Sequence, residues 1–164
     1  MKEIAFTKVK LPYGWMSNMS PHPIEHNGKK WRTAEALFQA LRFCDSEIQE
    51  RIRAETSPIG CKLRVKAIVK DLTVRGELHK RCIEPMSEPD LKNMELCLRL
   101  KLKQHPKLVT DLLATRDSPI YEDVTSRGAR GTNLFWGAMR NPNGAWTGRN
   151  ELGKMWERLR TEFL

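Results

Sequence analysis

Residues 31–43 constrain the fold most, because this one short stretch carries a helix start, a complete apolar face and a polar stripe of its own. Thr33 is placed as an N-cap, and Ala34, Leu37, Phe38 and Leu41 recur at i, i+3, i+4 and i+7, the spacing of one buried helical face. Glu35, Gln39 and Arg42 recur at i, i+4 and i+7 on a second stripe. At ~100° per residue they fall within about 60° of arc, so an acid, an amide and a base point the same way. On an arbitrary helix such a stripe is solvated charge, with Glu35 complementing the helix dipole.

The chain before this helix predicts short strands over residues 4–9, 23–26 and 29–32, with Asn27-Gly28 as the hairpin turn between the last two. Residues 13–21 are too rich in turn formers for a regular element. They read equally well as a pocket wall carrying Ser17 and Asn18 or as a surface loop whose Trp15 plugs the core. Asp45 or Ser46 then starts a second helix reaching about Glu55, and Ser57 caps a third with Pro58 at its first position. Ile59, Leu63 and Ala67 are the expected core line of that third helix, with Lys62 and Lys66 on a solvated stripe. Residues 71–87 show no sustained period. Ser87 caps a helix bearing Leu91, Met94, Leu98 and Leu102, and Pro106 begins a shorter one with Leu108, Leu112 and Leu113. Asn150 is the candidate N-cap of a last helix with Leu152, Met155, Trp156, Leu159 and Phe163 on one face.

Composition narrows the class. The 164 residues are enough for one core, and 40% hydrophobic with 30% charged residues is an ordinary globular balance. No run of 18 apolar residues and no signal-peptide pattern is present, so no membrane partner is expected and the expected compartment is the cytoplasm. Cys44, Cys61, Cys82 and Cys97 form no C-x-x-C pair and the four histidines are scattered, which predicts reduced thiols and no metal site. A net charge of +9 favours phosphate-bearing partners without separating nucleic acid from nucleotide.

Function concentrates in a second stretch. Six of the ten glycines lie between Gly128 and Gly153, among Arg127, Arg130, Arg140, Arg149, Trp136 and Trp146. Glycines admit a ligand to the backbone, arginines pair with phosphate and tryptophans offer stacking faces. The P-loop and the dinucleotide G-x-G-x-x-G are absent, as is the G-x-S-x-G elbow of serine hydrolases.

Several stretches in order resemble one family. Ser17-Asn18, residues 31–43, Ser57-Pro58, Leu100-Lys101-Leu102-Lys103-Gln104-His105, Leu112-Leu113-Ala114-Thr115, Phe135-Trp136-Gly137 and Gly148-Arg149-Asn150-Glu151-Leu152-Gly153-Lys154 are similar to the NADAR, or YbiA-like, family. The resemblance implies an α+β, predominantly helical, compact single domain over residues 1–164 with a few short N-terminal strands. It also implies a metal-independent N-glycosidase that needs no cofactor. Its substrates would be phosphorylated riboflavin-pathway intermediates, or ADP-ribose on guanine in DNA, towards which the net charge tilts the expectation. A non-catalytic module binding nucleotide or ADP-ribose in the same pocket is the alternative.

Breaking a ribosyl C–N bond builds positive charge at C1, which a fixed carboxylate stabilises while a water or nucleophile attacks. Glu35 is the expected carboxylate. Asn18 and Gln39 are expected to hold the ribose hydroxyls, Trp136 to stack the base and Arg149 with Asn150 to grip phosphate or sugar, with Ser17, Arg42 and Asn133 also in the expected substrate-binding set. An imine-forming lysine is the other route, with Lys101 and Lys62 as its candidates. Two positions depart from the family pattern. Arg42 stands where many relatives carry Lys, which removes an imine role there because a guanidinium stays protonated. Asn133 stands where many carry Asp, leaving Asp123 or Glu122 to supply any second carboxylate.

Overall fold

A computed structural model describes residues 2–164 and divides the chain into two contact units, Pro21–Gln104 and Met1–Ser20 with His105–Leu164. The architecture is α+β and mainly helical, with three two-stranded sheets among the described residues.

In the unit Pro21–Gln104, β2 (Ile24–His26) and β3 (Lys29–Trp31) form an antiparallel hairpin, preceded in the chain by β1 (Ile4–Phe6) of the other unit. The turn needs left-handed backbone at both central residues, and Asn27 (φ 50°) and Gly28 (φ 75°) supply it. The hairpin leads into α1 (Ala34–Leu41), whose cap is the expected one: Ala36 N donates to Thr33 Oγ1 at 3.2 Å. Around α1 pack α2 (Ser46–Arg53), α3 (Pro58–Arg75) and α4 (Glu88–Gln104). Asp45 rather than Ser46 caps α2, accepting from Glu47 N and Ile48 N. Ser57 and Pro58 start α3 as read, but the helix runs on to Arg75 and ends at Gly76 in the left-handed conformation.

The core line expected for α3 is wrong. Ile59 and Leu63 are 64% and 62% exposed and Ala67 is exposed, while Cys61, Ile68 and Leu72 face inward. Both sets are regular helical stripes. Lys62, Lys66 and Lys70 share the outward arc with Ile59 and Leu63, so this face is the more costly of the two to bury.

In the other unit, β1 pairs in parallel with β4 (Ile120–Glu122), a strand the sequence did not announce. The first strand is also shorter than residues 4–9. Between them in the chain lies α5 (Pro106–Leu113), and after β4 come α6 (Asn133–Trp136), the two-residue strands β5 (Met139–Arg140) and β6 (Trp146–Thr147), and α7 (Glu151–Glu162). Helix α7 packs on β4, α5 and α6. Its Trp156 is fully buried, donates to Met16 O at 3.0 Å and meets Trp15 edge-on at 5.4 Å. Trp15 thus lies half-buried against the core of this unit.

Asn150 precedes α7 but does not cap it with its side chain. It adopts a left-handed backbone (φ 52°) and its amide donates to Ile120 O at 2.8 Å while accepting from Glu122 N at 3.0 Å. Gly153 sits against Ile120 O and the Asn150 amide, so close that any Cβ would overlap them. These contacts seat α7 on β4. Asn150→Ala strands a buried carbonyl and a backbone N–H, and is expected to cost about 2–4 kcal/mol of unfolding free energy, read as a lowered urea midpoint with an unchanged m-value.

Candidate active site

Every residue from Ala34 to Ala40 in α1 is buried, including Glu35 at 4% and Gln39 at 8% exposure. The polar stripe is therefore interior, and the solvated reading does not apply. Gln39 Nε2 donates to Glu35 Oε1 at 2.8 Å, and Arg42 Nη1 donates to Gln39 Oε1 at 3.3 Å. Arg42 then closes a two-pronged pair on α4, its Nε and Nη2 donating to the two carboxylate oxygens of Asp90 at 2.8 and 2.7 Å. Asp90 is fully buried and its Oδ2 also accepts from Met86 N at 2.8 Å. The amide thus links an acid at one end of α1 to an ion pair at the other.

Two more helices wall this stripe. From α3, Lys62 brings Nζ to 3.9 Å of Glu35 Oε1 while its side chain stays about half exposed. Cys61, one residue before it, is pushed up to about 11, mainly by burial and then by the charges of Glu35 and Glu55. From α4, Cys97 is pushed up by burial first and by Glu35 and Asp90 next. Both thiols therefore feel the charge of Glu35, one on each helix. On α4, Asp90, Met94, Cys97 and Lys101 follow at i, i+4, i+7 and i+11, so they share one face, and all four are buried. Lys101 is fully buried, and burial lowers its pKa from 10.5 to about 7. An amine with that value is substantially uncharged at neutral pH, the state a nucleophilic lysine needs.

The remaining expected site residues lie in the other unit. Ser17 Oγ accepts from Met19 N at 3.2 Å, and Asn18 is 7% exposed. Asn133 Nδ2 donates to Gly128 O at 2.8 Å, holding the glycine turn to α6. Trp136 is part-buried and edge-on to Phe135 at 4.9 Å. Arg149 pairs with Glu151 at 2.8 Å and lies 4.5 Å over the Phe135 ring, and Asn150 holds β4 as described. Of the two stand-in carboxylates, Glu122 pairs with Arg127 at 3.0 Å and Asp123 accepts from Thr125 N at 2.8 Å. Trp146 stacks on Tyr121 at 4.4 Å and donates to Glu3, so its face is already taken. Sequence reading missed Asp90, and treated Cys61 and Cys97 only as reduced thiols. The 90–94–97–101 face on α4 was the available sign. Among the described residues no group of three or more His, Cys, Asp or Glu side chains is placed to hold a metal ion.

The family description "NADAR domain" matches residues 5–164, across both units. The chain belongs to the NADAR family. N-glycosidase YbiA of Escherichia coli is 30% identical over 160 residues, covering 98% of this chain and 88% of that protein. N-glycosidase Npun_R5314 of Nostoc punctiforme is 32% identical over 163 residues, covering 98% and 92%. Riboflavin biosynthesis protein VVA0006 of Vibrio vulnificus is 26% identical over 151 residues, which span 92% of this chain and 36% of that longer protein. The NMR structure of E. coli YbiA superposes with a TM-score of 0.69 at 26% identity, covering 99% of this chain and 86% of that one. The NADAR chain thus has a YbiA-like fold. No helix among the described residues is long and apolar enough to cross a membrane.

Burial of Lys101 makes folding stability depend on pH. The unfolded chain keeps this proton up to about 10.5 and the folded one only up to about 7, so the group makes stability rise with pH between those values and adds no slope below 7. Lys101→Met is expected to remove that part of the slope. Urea denaturation of variant and parent at pH values from ~6 to ~10 reads it as a stability difference that narrows as pH rises.

Proposed function

We propose that this NADAR protein hydrolyses the C–N glycosidic bond of a phosphorylated ribosyl substrate, with Glu35 as the carboxylate that stabilises charge at C1. The N-glycosidase relatives support the enzyme class, and the observation that carries the residue assignment is the buried, hydrogen-bonded placement of Glu35 beside Lys62. A fixed acceptor in a water-poor site interacts with developing positive charge far more strongly than one in bulk water. Gln39 orients it, and Lys62, half-exposed, balances its charge in the resting site. Lys101 supplies the amine of the alternative route, in which it attacks the sugar carbon as the base leaves with the bonding electrons and water later releases the sugar.

Glu35→Gln keeps the shape and the hydrogen bond to residue 39 while removing the charge. It is expected to lower kcat by at least ~100-fold with the fold retained. Mass detection of released base and sugar, after incubation with a ribosylamino-pyrimidine phosphate and with ADP-ribosylated guanine, measures it. Unchanged turnover would overturn the role of Glu35. Tight binding with no release of base from either substrate by the parent protein would make this a binding module.

Two substrate classes remain in play, each with its own support. The name of the Vibrio relative favours a small riboflavin-pathway intermediate, whereas the +9 charge favours ADP-ribose on nucleic acid. Salt separates them, because a strand contacted through several phosphates releases counterions on binding. Activity on ADP-ribosylated DNA is expected to fall by roughly tenfold or more between ~50 and ~200 mM salt, while activity on a small intermediate changes little.

A further inference from the structure

Within the unit Pro21–Gln104 a cleft of about 540 Å³ is lined by Pro21, Pro23, Lys30, Arg32, Arg53 and Ala54. It contains none of the residues assigned to the Glu35 site. Its walls have a definite origin. Lys30 and Arg32 alternate with the buried Trp31, so the strand period turns both outward, and the end of α2 contributes Arg53 and Ala54.

The arginines are held by different means. Arg32 Nη1 donates to two main-chain carbonyls, Ala54 O at 3.4 Å and Glu55 O at 2.8 Å. These acceptors fix the guanidinium without neutralising it, and its Nε and Nη2 donors stay unused. Arg53 is paired to Glu50 through Nε and Nη2, and its Nη1 donates to Lys30 O at 3.3 Å. Glu50 also accepts from Lys29 at 2.6 Å, and these two cations hold its carboxyl down at about 2. The Glu55 carboxylate is engaged by Arg64 at 2.6 Å. Glu25 stands opposite Lys30 in the hairpin register without an ion pair to it. Lys29, Lys30, Arg32 and Arg53 therefore share one paired carboxylate, and among the described residues Lys30 and Arg32 have no anionic partner of their own.

We propose that this cleft binds the phosphate of a nucleotide-sized ligand, separately from the Glu35 site. A guanidinium fork already fixed on carbonyls loses little freedom when its free N–H groups take phosphate oxygens in a two-pronged pair, and Lys30 adds a mobile point charge. The volume lies within the ordinary range for small-ligand sites and exceeds what inorganic phosphate alone would fill. Pro21 and Pro23 give the apolar wall that a sugar or base needs. The phosphate has two sources, a free nucleotide or a nucleic-acid strand.

Amide chemical shifts of the full-length ¹⁵N-labelled protein, titrated with ADP, adenosine and a single-stranded oligodeoxynucleotide, test this. Saturable shifts at Lys30, Arg32, Arg53 and Ala54 are expected with ADP or the oligonucleotide and not with adenosine, and whichever of the two binds more tightly identifies the source. Lys30→Glu, at an exposed position, is expected to weaken that binding at least tenfold, Arg32→Gln comparably, and Glu35→Gln not at all. Equal shifts with adenosine, shifts confined to α1 and α4, or undiminished binding by a folded Lys30→Glu protein would each overturn the proposal. Since Glu35→Gln leaves the cleft intact, the result stands or falls independently of the glycosidase assignment.

Discussion

A helix buried on every side that still carries an acid and an amide must satisfy both from within, and the molecule meets that constraint with one relay. Glu35 accepts from Gln39, Gln39 accepts from Arg42, and Arg42 is clamped by Asp90. An isolated interior charge would be costly, so each member depends on the next. The relay also fixes geometry. Arg42 follows the last turn of α1 and Asp90 lies in the first turn of α4, so the pair joins the end of one helix to the start of the other. Rotating α1 about its axis would break the clamp and turn the Glu35 carboxylate away from Lys62. What keeps the core satisfied therefore also holds the candidate catalytic group in one orientation, and preorganisation needs no separate device.

Local chemistry was legible in the sequence and tertiary choice was not. The caps at Thr33 and Ser57, the proline starts of α3 and α5, and the Asn27-Gly28 turn depend on residues a few positions apart, and all stand as read. The direction of the Glu35–Gln39–Arg42 stripe was equally local. Its burial was not, because that depends on α3 and α4 arriving from elsewhere in the chain. On α3 two stripes competed, and periodicity has no term for the lysines that make one of them expensive to bury. The two-residue strands β5 and β6 carry too little pattern to register. Asn150 shows the same limit at one residue: a good N-cap type, used instead to hold a strand beside it.

The arginine at position 42 is explained by what it touches. A guanidinium donates to the Gln39 carbonyl and to both Asp90 oxygens at once from one plane, whereas an ammonium is a point charge that cannot match that fork. In this chain the position is committed to structure, and amine chemistry must come from elsewhere. Lys62 faces Glu35 but remains half-exposed. Lys101 differs because nothing but burial is needed to bring it near neutrality at about 7. In the proposed reaction Lys62 balances the carboxylate, and in the alternative route Lys101 is the amine. Interior burial underlies both routes, since the same low-dielectric packing that strengthens Glu35 against developing charge keeps Lys101 from holding its proton.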